Sequence, residues 1–298
     1  MAQGEHALRP KPNRNPTPGL VRFLHYQGMN SINWLIATDL DGTLLDDSYP
    51  YQDAGRAVDE LQARYPLRVT LASSKTLAEM LEIAKHSATA PFLIFENGGG
   101  VAWPSGALRQ TGERRLSGYE ITILGCDIGD VYQALRQMRR TADFSFKTFA
   151  ELSDDEIGAI TQLSPAAVEL ARQRLTAEPI LWQDSDARIP AFTNALNELG
   201  FSVVQGGRFL HVAGGASKAR ALKYLCRKIC YEHGLRPRLL ACGDAPNDRD
   251  MINSADRALL FPGRDGGYLY ADDDKHTHAL KAGPRHWLQG VQQIVANA

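Results

Sequence analysis

The sequence predicts an α/β protein whose main sheet is largely parallel. Three observations carry this. Short apolar runs alternate with helix-spaced segments over 33–99 and again over about 217–263. The stretch between them, 119–212, mixes short strands and helices and holds a hairpin signal at Gly206-Gly207. Hydroxyl and carboxyl residues stand at the ends of the apolar runs (Asp39, Ser73 and Glu96), where sites in such sheets lie.

The elements follow in order. "NWLIATDL" (33–40) reads as a buried strand: short, apolar and bounded by turn residues. Ala54, Ala57, Val58 and Leu61 share one face of a helix over 53–64. Strand 67–73, helix 76–86 and strand 92–99 complete the first alternation. The middle stretch reads as strand 119–125, helix 128–140, strand 145–151, helices 153–160 and 165–177, strand 179–182 and helix 185–199. Two strand-like pieces follow in 201–212. The parallel pattern resumes with helix 217–233, strand 238–244, a helix from about 247 and strand 257–263.

Composition narrows the class. A chain of 298 residues, 44% hydrophobic and 22% charged, has the profile of a soluble globular protein. A net charge of -1 gives no reason to expect a nucleic-acid or anionic-membrane partner. Cys126, Cys226, Cys230 and Cys242 form no C-x-x-C pair, which suits reduced thiols in a cytoplasmic protein. No apolar run has the length of a membrane span. Residues 1–32, with "RPKPNRNPTPGLVR", read as a flexible extension without the apolar core of a signal peptide, and Met29 is a possible alternative start.

Chemistry concentrates in four pieces. "TDLDGTLLD" (38–46) places Asp39 and Asp41 two apart at a strand end, where both flank one site if the strand persists. Asp-Gly is also an ordinary turn. A calcium loop is excluded, because its sixth and twelfth positions hold Leu44 and Pro50. "GDAPNDRDM" (243–251) gathers Asp244, Asn247, Asp248 and Asp250 after a buried run, an oxygen-rich set that suits Mg²⁺. "ASSKT" (72–76) brings hydroxyls to a strand end, an environment for an anion. Lys218 opens a helix after "HVAGGAS".

In this order the four pieces resemble the haloacid dehalogenase superfamily of phosphohydrolases. The resemblance implies a Rossmann-like core with an inserted α+β cap of type IIB. Asp39 is then the nucleophile, Asp41 the general acid–base, and Ser73 and Lys218 the phosphate ligands. Asp39, Asp244 and the backbone of Asp41 hold Mg²⁺, supported by Asn247 and Asp248. The expected division is core 33–104 with 207–298, and cap 105–206.

"SSKT", "PFLIFENGGGVAWP", "RLTAEP", "GGRFLHV" and "GPRHW" resemble the mannosyl-3-phosphoglycerate phosphatase family. That implies a small phosphorylated sugar or glycerate substrate carrying a carboxylate. Arg174 and Arg208 suit the carboxylate by their planar forks. Glu178, Glu96, Asn97 and His211 suit sugar hydroxyls, and Lys75 and Thr76 the glycerate end. Arg174 and Glu178 also read as a surface ion pair four apart on a helix. Glucosyl-3-phosphoglycerate and sucrose phosphate are the alternative substrates.

Overall fold

The computed structural model describes residues 32–46, 50–205 and 208–297. The expected extension (except Ile32), Met29 and the Gly206-Gly207 turn lie outside the described residues.

The first segment runs β1 (Trp34–Thr38), α1 (Tyr51–Arg64), β2 (Leu67–Ala72), α2 (Leu77–Ala84) and β3 (Phe92–Phe95). A 3₁₀ turn, Glu96–Gly98, leads to β4 (Gly100–Pro104), β5 (Arg114–Leu116) and β6 (Tyr119–Ile123). The middle segment holds α3 (Ile128–Ala142), β7 (Phe146–Thr148), α4 (Asp154–Thr161), α5 (Pro165–Ala171), β8 (Ala177–Trp182), α6 (Ile189–Glu198), β9 (Phe201–Gln205) and β10 (Leu210–Gly214). The chain then returns through α7 (Lys218–His233), β11 (Arg238–Gly243), α8 (Arg249–Ser254), β12 (Arg257–Leu260), β13 (His276–His278) and α9 (Pro284–Ala296).

Among the described residues the strands form two sheets, ordered β13-β12-β11-β1-β2-β3-β4-β6-β5 and β7-β8-β10-β9. From β13 to β3 neighbouring strands are parallel, while β4, β6 and β5 continue antiparallel. β1 lies at the centre of the parallel part and all five of its residues are buried, which explains why its sequence is apolar without alternation. Its side chains still divide by period two. Trp34 and Ile36 pack under α1, α2 and α9, whereas Leu35 and Ala37 pack under α7 and α8. Both faces are therefore covered, and the strand ends are where a crevice opens.

Three expectations change. β6 pairs with β4 and β5 with β6, so the large sheet extends to residue 123 beyond the expected boundary at 104. β10 pairs with β8 and β9, so the smaller sheet extends to residue 214 beyond the expected boundary at 206. The helix expected over 165–177 stops at Ala171 and the chain is extended by Ala177. The N–H groups of Leu175, Thr176 and Ala177 donate to the Glu96 carboxylate instead of closing helical turns. Arg174 and Glu178 therefore do not share a helix.

The final helix, α9, was not expected from sequence. Pro284 sits in its first turn, and Trp287, Val291 and Ile294 form its buried stripe. Trp287 is fully buried, and its Nε1 donates to Thr38 Oγ1 at 2.9 Å, one residue before Asp39. No helix among the described residues is long and apolar enough to cross a membrane. Trp287→Ala should lower unfolding stability by about 3–5 kcal/mol in denaturant titration. Trp287→Phe, which keeps a ring there, should cost clearly less.

Candidate active site

β1 delivers Asp39 to the centre of the crevice, with its N–H bonded to Cys242 O of β11 at 2.9 Å. The strand ends there, and the chain reverses through Gly42, whose φ is +82°. Glycine serves twice at this point. It supplies the left-handed backbone, and any Cβ would stand 2.6 Å from Asp244 Oδ2. Thr43 then donates from Oγ1 to Asp244 Oδ1 at 2.8 Å, tying the first loop to the loop after β11.

Lys218 is the hub. It is 2% exposed and sits at the first position of α7, whose N-cap is Ser217. Its Nζ donates to Asp39 Oδ1 and to Asp248 Oδ1, both at 2.7 Å. Asp248 is fully buried, and its Oδ2 accepts from the N–H groups of Asp244 (3.3 Å) and Ala245 (3.2 Å). Asp248 thus aims the lysine and shapes the Asp244 loop, and both its oxygens are used.

Carboxylate oxygens of Asp39, Asp244 and Asp248 lie within 4.8 Å of one another. Against them the cluster sets one ammonium, leaving two formal negative charges in excess. Burial pushes the Asp39 carboxyl well above the usual carboxylate range; Lys218 opposes the shift, while Asp248 and Asp244 reinforce it. Burial likewise pushes Asp244 up to about 6, opposed by the Thr43 hydroxyl and reinforced by Asp248. Burial works against the Lys218 ammonium, but Asp248 and Asp39 outweigh it and hold the lysine charged. Close hard oxygen donors with a double negative excess fit a divalent cation.

Asp41 does not sit beside Asp39 on a continued strand. Its side chain is 62% exposed and pairs through Oδ2 with Lys75 Nζ at 2.8 Å. Burial disfavours the Lys75 charge, yet Asp41 and Glu79 raise its pKa above the ordinary lysine value. Ser73 is buried at the end of β2, and its Oγ accepts from Lys75 N–H at 3.2 Å. Asn97 Oδ1 accepts from Asn247 Nδ2 at 3.3 Å.

Other expected ligands have structural partners. Thr76 caps α2, accepting from Glu79 N–H while its hydroxyl donates to Leu170 O at 2.9 Å. The Glu96 carboxylate accepts from the segment entering β8. Glu178 accepts from Ala150 N–H (2.9 Å) and from the Tyr132 hydroxyl (3.2 Å), and burial raises its pKa. Arg174 donates from Nε to Ala171 O and from Nη1 to Ser74 O, both at 2.9 Å. Arg208 is exposed.

His211 differs from these. Its neighbours Leu210 and Val212 enter the core formed with α3 and α6, so its own side chain points to the opposite face of the sheet. Nδ1 is buried with no hydrogen-bond partner among the described residues. Burial, then the charges of Arg174 and Lys218, push its pKa down to about 3, so the ring is neutral at working pH. The sequence reading missed Thr43, Tyr132 and Thr176. Of these, only Thr43 left a signal, since it belongs to the D-x-D-G-T run.

A family model described as sucrose-6F-phosphate phosphohydrolase matches residues 197–277, the stretch that carries His211, Lys218, Asp244 and Asp248. The Thermoplasma acidophilum protein 0175 is 15% identical with a TM-score of 0.61, covering 90% of this chain and 100% of its own. A haloacid dehalogenase-like hydrolase from B. subtilis is 15% identical with a TM-score of 0.60, covering 88% and 98%. The sucrose-phosphatase of Synechocystis sp. PCC6803, solved with sucrose and phosphate, is 16% identical with a TM-score of 0.52, covering 89% and 98%. The chain has the haloacid dehalogenase-like hydrolase fold.

Asp244 supplies a pH test. Its folded-state pKa lies above the ordinary value of about 4. The penalty for charging it is therefore absent below that value and grows as pH rises through about 6. With chelator present, Asp244→Asn should gain thermal stability over the parent as pH rises from 4 to 7, and the two should converge at pH 4. A gap independent of pH would show that the Asp244 charge is not strained.

Proposed function

We propose that the chain is a Mg²⁺-dependent phosphomonoester hydrolase acting on a phosphorylated sugar, with mannosyl-3-phosphoglycerate as the first candidate. The buried Lys218, held between Asp39 and Asp248 beside Asp244, is the observation that carries this reading. Sucrose phosphate is the second candidate, favoured by the family model matched over 197–277.

In this reading Asp39 attacks phosphorus through the oxygen that Lys218 does not hold. The bond from an Asp39 oxygen to phosphorus forms as the bond from phosphorus to the ester oxygen breaks, the glycerate oxygen in mannosyl-3-phosphoglycerate or a sugar oxygen in sucrose phosphate. Asp41 gives its proton to the departing oxygen, then takes one from the water that attacks the aspartyl-phosphate and frees Asp39. Ser73 and Lys218 hold the phosphate oxygens. Lys75 keeps Asp41 at the crevice and adds positive charge on the side from which the phosphate enters. Asp39, Asp244 and the Asp41 carbonyl would hold Mg²⁺, which supplies charge neutralisation at the phosphoryl group. The smaller sheet acts as the cap, and the neutral His211 ring on it, whose Nδ1 has no partner among the described residues, is suited to a sugar hydroxyl.

The test is phosphate release with Mg²⁺ from mannosyl-3-phosphoglycerate, glucosyl-3-phosphoglycerate, sucrose 6-phosphate and mannose 6-phosphate. A preference for the first of at least about tenfold in kcat/KM, roughly 1.4 kcal/mol of transition-state stabilisation, is expected. A matching preference for sucrose 6-phosphate would replace the substrate and keep the chemistry. Asp39→Asn should abolish release on every substrate while leaving the unfolding midpoint close to the parent's. Retained turnover would remove Asp39 as nucleophile.

A further inference from the structure

We propose that Glu96 is a latch that fixes the cap on the core, and that it is a positioning residue for substrates the cap must contact. The kinetic part rests on the phosphatase reading; the structural part does not.

Glu96 follows β3 in the large sheet and is fully buried. Its Oε1 accepts from Leu175 N–H at 2.9 Å. Its Oε2 accepts from Thr176 N–H (2.7 Å), Thr176 Oγ1 (2.9 Å) and Ala177 N–H (2.8 Å). All four donors belong to the segment entering β8 of the smaller sheet. A buried carboxylate is costly unless hydrogen-bonded, so these donors are bound to the core as firmly as the core is bound to them. The contact is also close: a Cβ on Gly99 would stand 1.8 Å from Thr176 Oγ1. Two further bonds cross the same seam in opposite directions, Arg174 Nη1 to Ser74 O and Thr76 Oγ1 to Leu170 O.

The backbone of the same turn is fastened to the reaction centre. Glu96 N–H donates to Lys75 O and Asn97 N–H to Ser73 O, both at 2.9 Å. Asn97 also accepts from Asn247 in the acidic loop. Gly98 lies so close to the start of α7 that a Cβ there would stand 2.2 Å from Ser217 O. The turn therefore touches the loops or helix that present Ser73, Lys75, Asn247 and Lys218, while its carboxylate grips the cap. Glu96 and Asn97 hold this shape with φ of 49° and 55°. A shift of the cap at residues 175–177 pulls directly on the residue between Lys75 and Asn97. The chain crossings between the sheets pass through Gly125, Gly214 and Gly215, which offer little stiffness of their own.

The test compares the parent with Glu96→Gln, which keeps the shape but turns an amide N–H toward at least one of the four donors. Hydrogen exchange at Leu175, Thr176 and Ala177, without substrate, should accelerate in the variant. The loss of kcat/KM on the preferred sugar phosphate should exceed the loss on p-nitrophenyl phosphate by at least about tenfold, because the small ester does not need the cap. Equal losses on both substrates, or exchange unchanged at the three amides, would overturn the proposal. If Glu96→Gln does not fold, Thr176→Val removes one donor and should show the selective loss, with Thr176→Ser restoring it; failure of that pattern would also overturn it. If the parent hydrolyses neither ester, the proposed function fails and the exchange result still decides the latch.

Discussion

Everything in the crevice depends on one buried lysine held by two buried aspartates. Removing an ammonium and two carboxylates from water costs several kcal/mol per ion. The arrangement persists because each charge finds a partner. Lys218 gives two hydrogen bonds of 2.7 Å, and Asp248 spends its remaining oxygen on two backbone N–H groups. The fold is built to reach this point. β1, β11 and the start of α7 converge there, and a Cβ on Gly243 would stand 2.7 Å from the Asp248 Cβ. The cluster still carries an excess of negative charge; burial first, and the neighbouring carboxylates after it, raise the pKa values of Asp39 and Asp244. A site strained toward binding a cation is well placed to use that cation on a phosphate.

The second organising feature is the turn at Glu96–Gly98. It lies where the parallel strands give way to antiparallel ones, between β3 and β4. Its backbone is bonded to the loop that carries Ser73 and Lys75, and its side chain to the segment entering β8. Two units with separate hydrophobic cores thus meet through the Glu96 hydrogen bonds and the apolar contact of Leu175 with the core of the larger unit. A seam of this kind holds a defined pose without fusing the units.

Much of this was legible in the sequence. Fully buried strands ending in Asp39, Ser73 and Asp244 announce themselves as apolar runs closed by polar residues. The D-x-D-G-T run marked Gly42 for the sharp turn after the strand, which its φ of +82° bears out, while what Thr43 does emerged only in three dimensions. The cap was harder. The segment 172–177 has helical spacing, and nothing local shows that a carboxylate some eighty residues earlier would claim its N–H groups. Glu96 itself read as a sugar ligand because sequence places it at a strand end but cannot show where its oxygens point. The ion pair of Asp41 with Lys75 was invisible for the same reason. α9 was missed because its stripe of Trp287, Val291 and Ile294 is short and follows a long irregular segment.

The central claim is that Asp39 carries the phosphoryl group during turnover. It is tested most directly by mixing the Asp41→Asn protein with its sugar phosphate and Mg²⁺, quenching in acid and mapping the products by mass spectrometry. With the second transfer slowed, one phosphoryl adduct on Asp39 is expected, absent when Asp39→Asn is added to the same protein. An adduct on any other residue, or phosphate release with no adduct at any quench time, would contradict it.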